Sequence, residues 1–169
     1  MPSTYEPIAT TTLGSSAASV TFSSISGTYT DLRLVINYGT VSADQVLKLK
    51  LNNDTGTNYS NTIVYGNGTT AASSRSSSVA FGYVSLAVGT GTNAYASITT
   101  LDFMNYSNTT TYKTTLARTG NNDTGTTKGT EANVILWRST SAINDISFST
   151  TSGNILAGST FTLYGIKAA

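Results

Sequence analysis

Hydrophobicity in this chain alternates with a period of two. In Leu47-Lys48-Leu49-Lys50-Leu51 an extended backbone puts three leucines on one side and two lysines on the other. Leu32, Leu34, Ile36 and Tyr38 repeat the pattern, with Arg33 and Asn37 pointing the opposite way. A strand with one apolar side must bury it against a second layer, so the chain is expected to build packed sheets. No window of useful length shows the three- and four-residue spacing of an amphipathic helix, and the helix-former Gln occurs once.

Segments of strand character fall at Ile8 to Thr12, Ser19 to Phe22, Leu32 to Tyr38, Val46 to Leu51, Thr62 to Tyr65, Val79 to Val88, Ala96 to Tyr106, Tyr112 to Arg118, Ala132 to Arg138, Ile143 to Thr150 and Thr160 to Lys167. Asn- and Gly-rich turns separate them, at 52–56, at Asn67-Gly68, at 120–125 and at 152–154; Asn, Asp and Gly accept the positive φ that tight connections need. The small polar stretch Thr69 to Ser78 reads as a long mobile loop. Val79 to Val88 is apolar on both faces around Gly82, which suggests a central strand or a bend with a bulge at that glycine. The expectation is an all-β fold. It is an antiparallel two-sheet sandwich, jelly-roll-like, of about ten strands with little or no helix, in one domain over residues 1–169.

Composition then removes function classes. Charged residues are 10% of the chain and the net charge is +1, with the cations scattered, so an electrostatic nucleic-acid binder is excluded. There is no histidine and no cysteine. Imidazole bases, Ser-His-Asp and Cys-His triads, thiolate metal sites and disulfides are therefore absent. Glycoside hydrolysis needs only two carboxylates, but most acids here sit in or beside turns. Asp102, mid-strand on a polar face, reads as a solvated or cross-strand-paired carboxylate. Asn53-Asp54 and Asn122-Asp123 offer one carboxylate per loop, too few for Ca²⁺, and fit Asx-turns instead. No Gly-rich turn leads into the Lys-Ser/Thr of a phosphate loop. No catalytic residue, metal or cofactor is expected. The first residues carry neither a basic nor an apolar signal region, and no run has the length of a membrane helix, so synthesis in a cytoplasm without signal-peptide export and no membrane partner are expected.

Two strings recur: Asn-Asn-Asp-Thr-Gly-Thr at 52–57 and 121–126, and Asn-Tyr-Ser-Asn-Thr at 58–62 and 105–109. In a chain so rich in Ser, Thr and Asn these read as convergent loops rather than a duplication. Ten tyrosines accompany one tryptophan. Tyr29, Tyr59, Tyr65, Tyr106 and Tyr112 fall near expected loops or strand ends, where Tyr either stacks on a sugar or protein partner or caps the β-core.

The segments Tyr5 to Leu13, Ser19 to Phe22, Gly27 to Leu32, Met104 to Lys113 and Ala157 to Ala168 resemble a group of small structural proteins of tailed bacteriophages common in aquatic phages. The resemblance spans nearly the whole chain and contains no catalytic or binding motif, so no site residue is carried over. It implies a place on the virion: as a capsid cement or decoration protein, or alternatively as a tail or head-fibre module that binds a host surface glycan. The expected partners are the major capsid protein or other virion proteins and further copies of the chain, most simply in a trimer. The interface is expected at Trp137, Ile135, Val84, Leu86 and Ile166, because Val79 to Val88 and Asn133 to Arg138 are apolar on both faces and one set must be covered. Tyr59, Tyr65, Tyr106 and Tyr112 are the tyrosines expected to contact a ligand or partner.

Overall fold

The computed structural model describes residues 4–40, 45–85, 97–121 and 129–167. They form twelve strands: β1 (Tyr5–Thr12), β2 (Ser19–Phe22), β3 (Asp31–Tyr38), β4 (Leu47–Leu51), β5 (Tyr59–Gly66), β6 (Ala71–Val79), β7 (Gly82–Ser85), β8 (Ser97–Phe103), β9 (Lys113–Asn121), β10 (Gly129–Trp137), β11 (Ile146–Thr150) and β12 (Thr160–Ile166). Eight lie in one sheet, in the order β1-β12-β3-β8-β9-β10-β5-β6, and four in a second, β2-β11-β4-β7. All pairings are antiparallel. The chain crosses between the sheets repeatedly, as a jelly-roll-like sandwich does. Among the described residues there is no helix, and none is therefore long and apolar enough to cross a membrane.

The period-two pattern is what joins the layers. Leu32, Leu34, Ile36 and Tyr38 of β3 and Leu47, Leu49 and Leu51 of β4 are all fully buried, and they meet Phe148, Phe161, Leu101 and Phe103 in one hydrophobic cluster. Phe148 and Phe161 bridge the sheets with ring centroids 5.6 Å apart. Burial pushes the Tyr38 hydroxyl well above its ordinary pKa.

Three expectations are corrected here. Thr69 to Ser78 is not a loop: most of it is β6, hydrogen-bonded to β5 from Gly66↔Ala71 to Tyr59↔Val79. The Asn67-Gly68 turn that precedes it is as expected, with Gly68 at φ 89° and the Asn67 side chain accepting from the Thr69 and Thr70 amides. β6 is an edge strand with most of its residues exposed, so no apolar alternation marks it. Val79 to Val88 is not one central strand. β6 ends at Val79, β7 begins at Gly82, and 86–88 lie outside the described residues. The register shift in β7 leaves out Val84, between Tyr83 and Ser85, rather than Gly82. Gly82 is required for packing, because a Cβ there would meet Ile135 Cγ2 at 2.6 Å.

β7 is an edge, and two buried asparagines of the facing sheet close it. Asn61 Oδ1 accepts from the Tyr83 amide at 2.8 Å while its Nδ2 donates to the Phe81 carbonyl at 3.4 Å. Asn133 Nδ2 donates to the Val84 carbonyl at 2.7 Å. Backbone groups with no strand beside them are thus satisfied across the sandwich.

The third correction concerns the interface. Ile135 and Val84 are fully buried and Trp137 is 3% exposed, all within the core cluster. Ile166 is half-buried at the end of β12. Leu86 lies outside the described residues. β10 turns Ile135 and Trp137 inward together with Glu131 and Asn133, leaving Val134 outside. Two polar residues on the inward side hid the parity of this strand.

Candidate binding face

The outer face of the eight-stranded sheet follows from register. One row across it reads Thr162, Val35, Thr100, Arg118, Ala132, Val64, Ser73; the next reads Tyr164, Arg33, Asp102, Leu116, Val134, Thr62, Arg75. These positions alternate with the buried ones, so every side chain in the two rows points away from the core.

Charge sits in the middle of the face. Asp102 accepts from Arg33 Nε at 2.5 Å and from Arg118 at 3.3 Å, which ties β3, β8 and β9 together. The hydrogen bond to Asp102 raises the Arg33 pKa further above its ordinary range. Both Asp102 oxygens are engaged, so this carboxylate is cross-strand paired, one of the two states expected for it. Asp31, at the start of β3, accepts from the Asn105 amide at 2.6 Å. Glycoside hydrolysis uses two carboxylates about 5 to 9 Å apart, one of them held as an acid. Among the described residues this face offers Asp102 and Asp31, both bound to donors. No group of three or more acids that could hold a metal occurs among the described residues.

Beside the ion pairs lies an apolar band. Val64 is 57% exposed, and Leu116 and Val134 are each 44% exposed. Leu116 is the register partner of Val134, and Val64 of Ala132. With Thr62 and Arg118 they line a shallow depression of ≈ 390 Å³. At the far side of the face, Tyr5 is 43% exposed, its ring 6.1 Å from that of Tyr164, and the Arg33 guanidinium lies 5.8 Å from the Tyr5 ring.

The tyrosines expected at a partner surface divide. Tyr59 is fully buried, stacks on Trp137 with centroids 6.5 Å apart, and receives the Leu51 amide at its hydroxyl at 2.9 Å. Tyr106 is fully buried too, and its hydroxyl donates to the Ser26 carbonyl. Both are core plugs, and their rings reach no partner. Tyr65 and Tyr29 are half-buried, whereas Tyr112 is 56% exposed. Tyr59 opens a strand and Tyr106 lies in a turn, so the two Asn-Tyr-Ser-Asn-Thr strings occupy different structures and are not both loops. Asp54 forms the expected Asx-turn. It accepts from the Gly56 amide at 2.8 Å, from Asn58 Nδ2 at 2.9 Å and from Trp137 Nε1 at 2.6 Å. Asn122-Asp123 lies outside the described residues.

Val64, Leu116 and Val134 are the residues that sequence reasoning missed. The signal was present in β9, where Leu116 stands between Thr115 and Ala117. It could be used only once β10 showed which parity faces out.

No protein-family model matches this chain, and no curated protein matches it in sequence. Among solved structures, a galectin of Caenorhabditis elegans is similar over 94% of this chain and 96% of its own, at 12% identity and a TM-score of 0.38. Domains LG4-5 of the mouse laminin alpha1 chain are similar over 91% of this chain and 40% of theirs, at 15% identity and a TM-score of 0.31. A glycosyl hydrolase family 16 protein of Mycobacterium smegmatis is similar over 80% and 62%, at 11% identity and a TM-score of 0.24. Likeness at this level leaves the function to be argued from the chain's own residues.

Proposed function

We propose that this chain is a non-catalytic structural protein of a tailed-phage virion: a cement or decoration protein that docks on the outer capsid surface and stabilises the shell. The observation that carries the docking face is the apolar band of Val64, Leu116 and Val134, standing in water beside the Arg33–Asp102–Arg118 network. A partner surface that covers this band gains the free energy of its dehydration, and the arginines at its border set orientation. In this reading Asp102 braces the face through its two ion pairs. The virion assignment rests on the sequence resemblance, and the partner is the major capsid protein.

The test uses shells that lack the chain. Purified protein should bind them in stoichiometry with the capsomers and raise the temperature at which they rupture. A Leu116→Thr, Val134→Thr variant should fold, because both positions are exposed strand sites that Thr suits, and fail to bind. Equal binding by wild type and variant would remove this face from the proposal. Wild-type protein found at a few copies per particle would place it on the tail.

A second reading, a module that binds a host surface glycan, is favoured by the exposed Tyr5 beside Tyr164 and Arg33 on the same face. Glycan-array binding that is lost in Tyr5→Ala and kept in Leu116→Thr would support it over docking on the shell.

A further inference from the structure

Among the described residues the two sheets end in four edge strands, and three of them are protected. β1 carries Pro7, which has no N–H, and a register shift between Pro7 and Ala9. β2 is four residues long. β7 is also four residues long, and Asn61 and Asn133 occupy its backbone groups. β6 has none of these devices over Ala71–Ser77; its one register shift leaves out Ser78, near its end. It runs for nine residues without proline, its one charge is Arg75, and Ala71 to Ser77 keep unbroken register with β5. Its residues bond to β5, and Asn61 Nδ2 reaches Ser76 Oγ at 3.1 Å; among the described residues nothing else bonds to them. Among the described residues, then, the side of β6 away from β5 is a row of N–H and C=O groups with no strand beside it, and such a row is a template for another strand.

We infer that β6 is a self-association edge, on which Ala71–Ser77 pairs antiparallel with the same segment of a second copy. Its chemistry selects that occupant. A foreign strand added to a sheet edge is chosen by pockets for its alternate side chains, and the Ala and Ser side chains of β6 build no pocket. A copy of the same segment needs none, because an antiparallel two-fold pairing exchanges identical backbone groups on both sides. Centring the axis on Ser74 uses all seven regular residues. It sets Arg75 opposite Ser73 of the second copy rather than opposite itself, which avoids a direct like-charge pair. The unit of association is then a dimer, in place of the trimer expected from sequence, and Val84, Ile135 and Trp137, expected at the trimer interface, lie in the core.

An antiparallel edge pairing places its two-fold axis perpendicular to the sheet. The two eight-stranded sheets become one continuous sheet, and both apolar bands face the same way. If that face docks on the capsid as proposed above, the dimer docks through two sites at once, and avidity replaces affinity per site. The pairing itself does not depend on that reading.

The experiment measures mass in solution by light scattering across about 1 to 100 µM, with hydrogen exchange of the 71–77 amides at both ends of the range. The expected result is a rise towards twice the 17.6 kDa chain mass, with slower exchange in the alternate amides of that segment that point away from β5. Ser73→Lys should weaken the dimer roughly three- to tenfold by facing Arg75 of the second copy, and Ser73→Glu should tighten it by a similar factor. Ser73 is exposed, so both variants should melt with the wild type. A wild type that stays monomeric, or a dimer indifferent to both substitutions, overturns the inference. Amides protected only when shells are added also overturn it, and give the edge to the shell protein. The mass and Ser73 outcomes are read without shells and do not depend on whether the outer sheet face docks.

Discussion

Replacing Asp54 with alanine should unfold the protein at distinctly lower denaturant, because one carboxylate secures three donors from separate parts of the chain. It holds the Gly56 backbone N–H of its own turn, the Asn58 side-chain Nδ2 just before β5, and the indole N–H of Trp137 at the end of β10. The Gly56 and Asn58 donors lie near the surface and regain water in the variant. The Trp137 donor does not, since Trp137 is 3% exposed. A hydrogen bond to a charged group contributes about 1.5–3 kcal/mol, and stranding a buried donor costs about 1–3 kcal/mol, so Asp54→Ala should cost about 2–4 kcal/mol. Trp137 is the chain's one tryptophan, and its fluorescence reports unfolding in urea. With a slope of about 2 kcal/mol per molar, the midpoint should fall by about 1–2 M. Asp54→Asn is the control for charge. Burial pushes the Asp54 pKa up, but the Trp137, Asn58 and Gly56 donors outweigh it and hold it below the usual carboxylate value. A depressed acid gives stability that is present above its unfolded pKa and lost as pH falls through the folded one. The margin of wild type over Asp54→Asn should therefore shrink from neutral pH to about pH 3. Burial raises the Asp145 pKa and has the opposite sign, but it cancels in this comparison because both proteins carry it. An Asp54→Ala midpoint within about 0.3 M of wild type, or a margin over Asp54→Asn unchanged in acid, would refute the reasoning.

Further outcomes follow from other buried groups. Burial raises the Tyr59 hydroxyl to about 12, and raises Tyr106 and Tyr38 as well. Their stability is full below the ordinary pKa near 10 and is lost as pH rises through the folded values; Tyr59 alone gives roughly 2–3 kcal/mol, read as a falling melting temperature above about pH 10. Lys113 works the other way, since burial lowers its pKa and the cost of its charge is relieved as pH rises through that lowered value; Lys113→Met should flatten the approach to pH 10. Gly165→Ala should cost about 1–3 kcal/mol by driving a methyl into the Tyr29 ring, and less in a Tyr29→Ala background, measured by urea unfolding. Asn61→Leu should cost about 2–4 kcal/mol and speed hydrogen exchange at the Tyr83 amide, which loses its acceptor.

The all-β class, the two layers and most strand positions were legible in the sequence, because a half-buried strand writes its burial into alternate residues. Leu47 to Leu51 and Leu32 to Tyr38 lie as their pattern requires, and the Asn-Gly turn at Asn67 and the Asx-turn at Asp54 follow from local chemistry that no distant contact alters. Tertiary structure alone decided what lacked a local signature. β6 exists because β5 supplies its hydrogen bonds, and a strand exposed along most of its length carries no apolar code. The parity of β10 was open because Glu131 and Asn133 are buried beside Ile135 and Trp137, Asn133 being held by the backbone of β7 in the opposite sheet. Tyr59 and Tyr106 sit beside turns in sequence and in the core in space, because a phenol can bury its ring once a backbone group bonds its hydroxyl. The outer face of the large sheet is likewise a product of register. Arg33, Asp102, Arg118, Leu116, Val134 and Val64 come from five strands, and only the hydrogen-bonded order of those strands makes them neighbours.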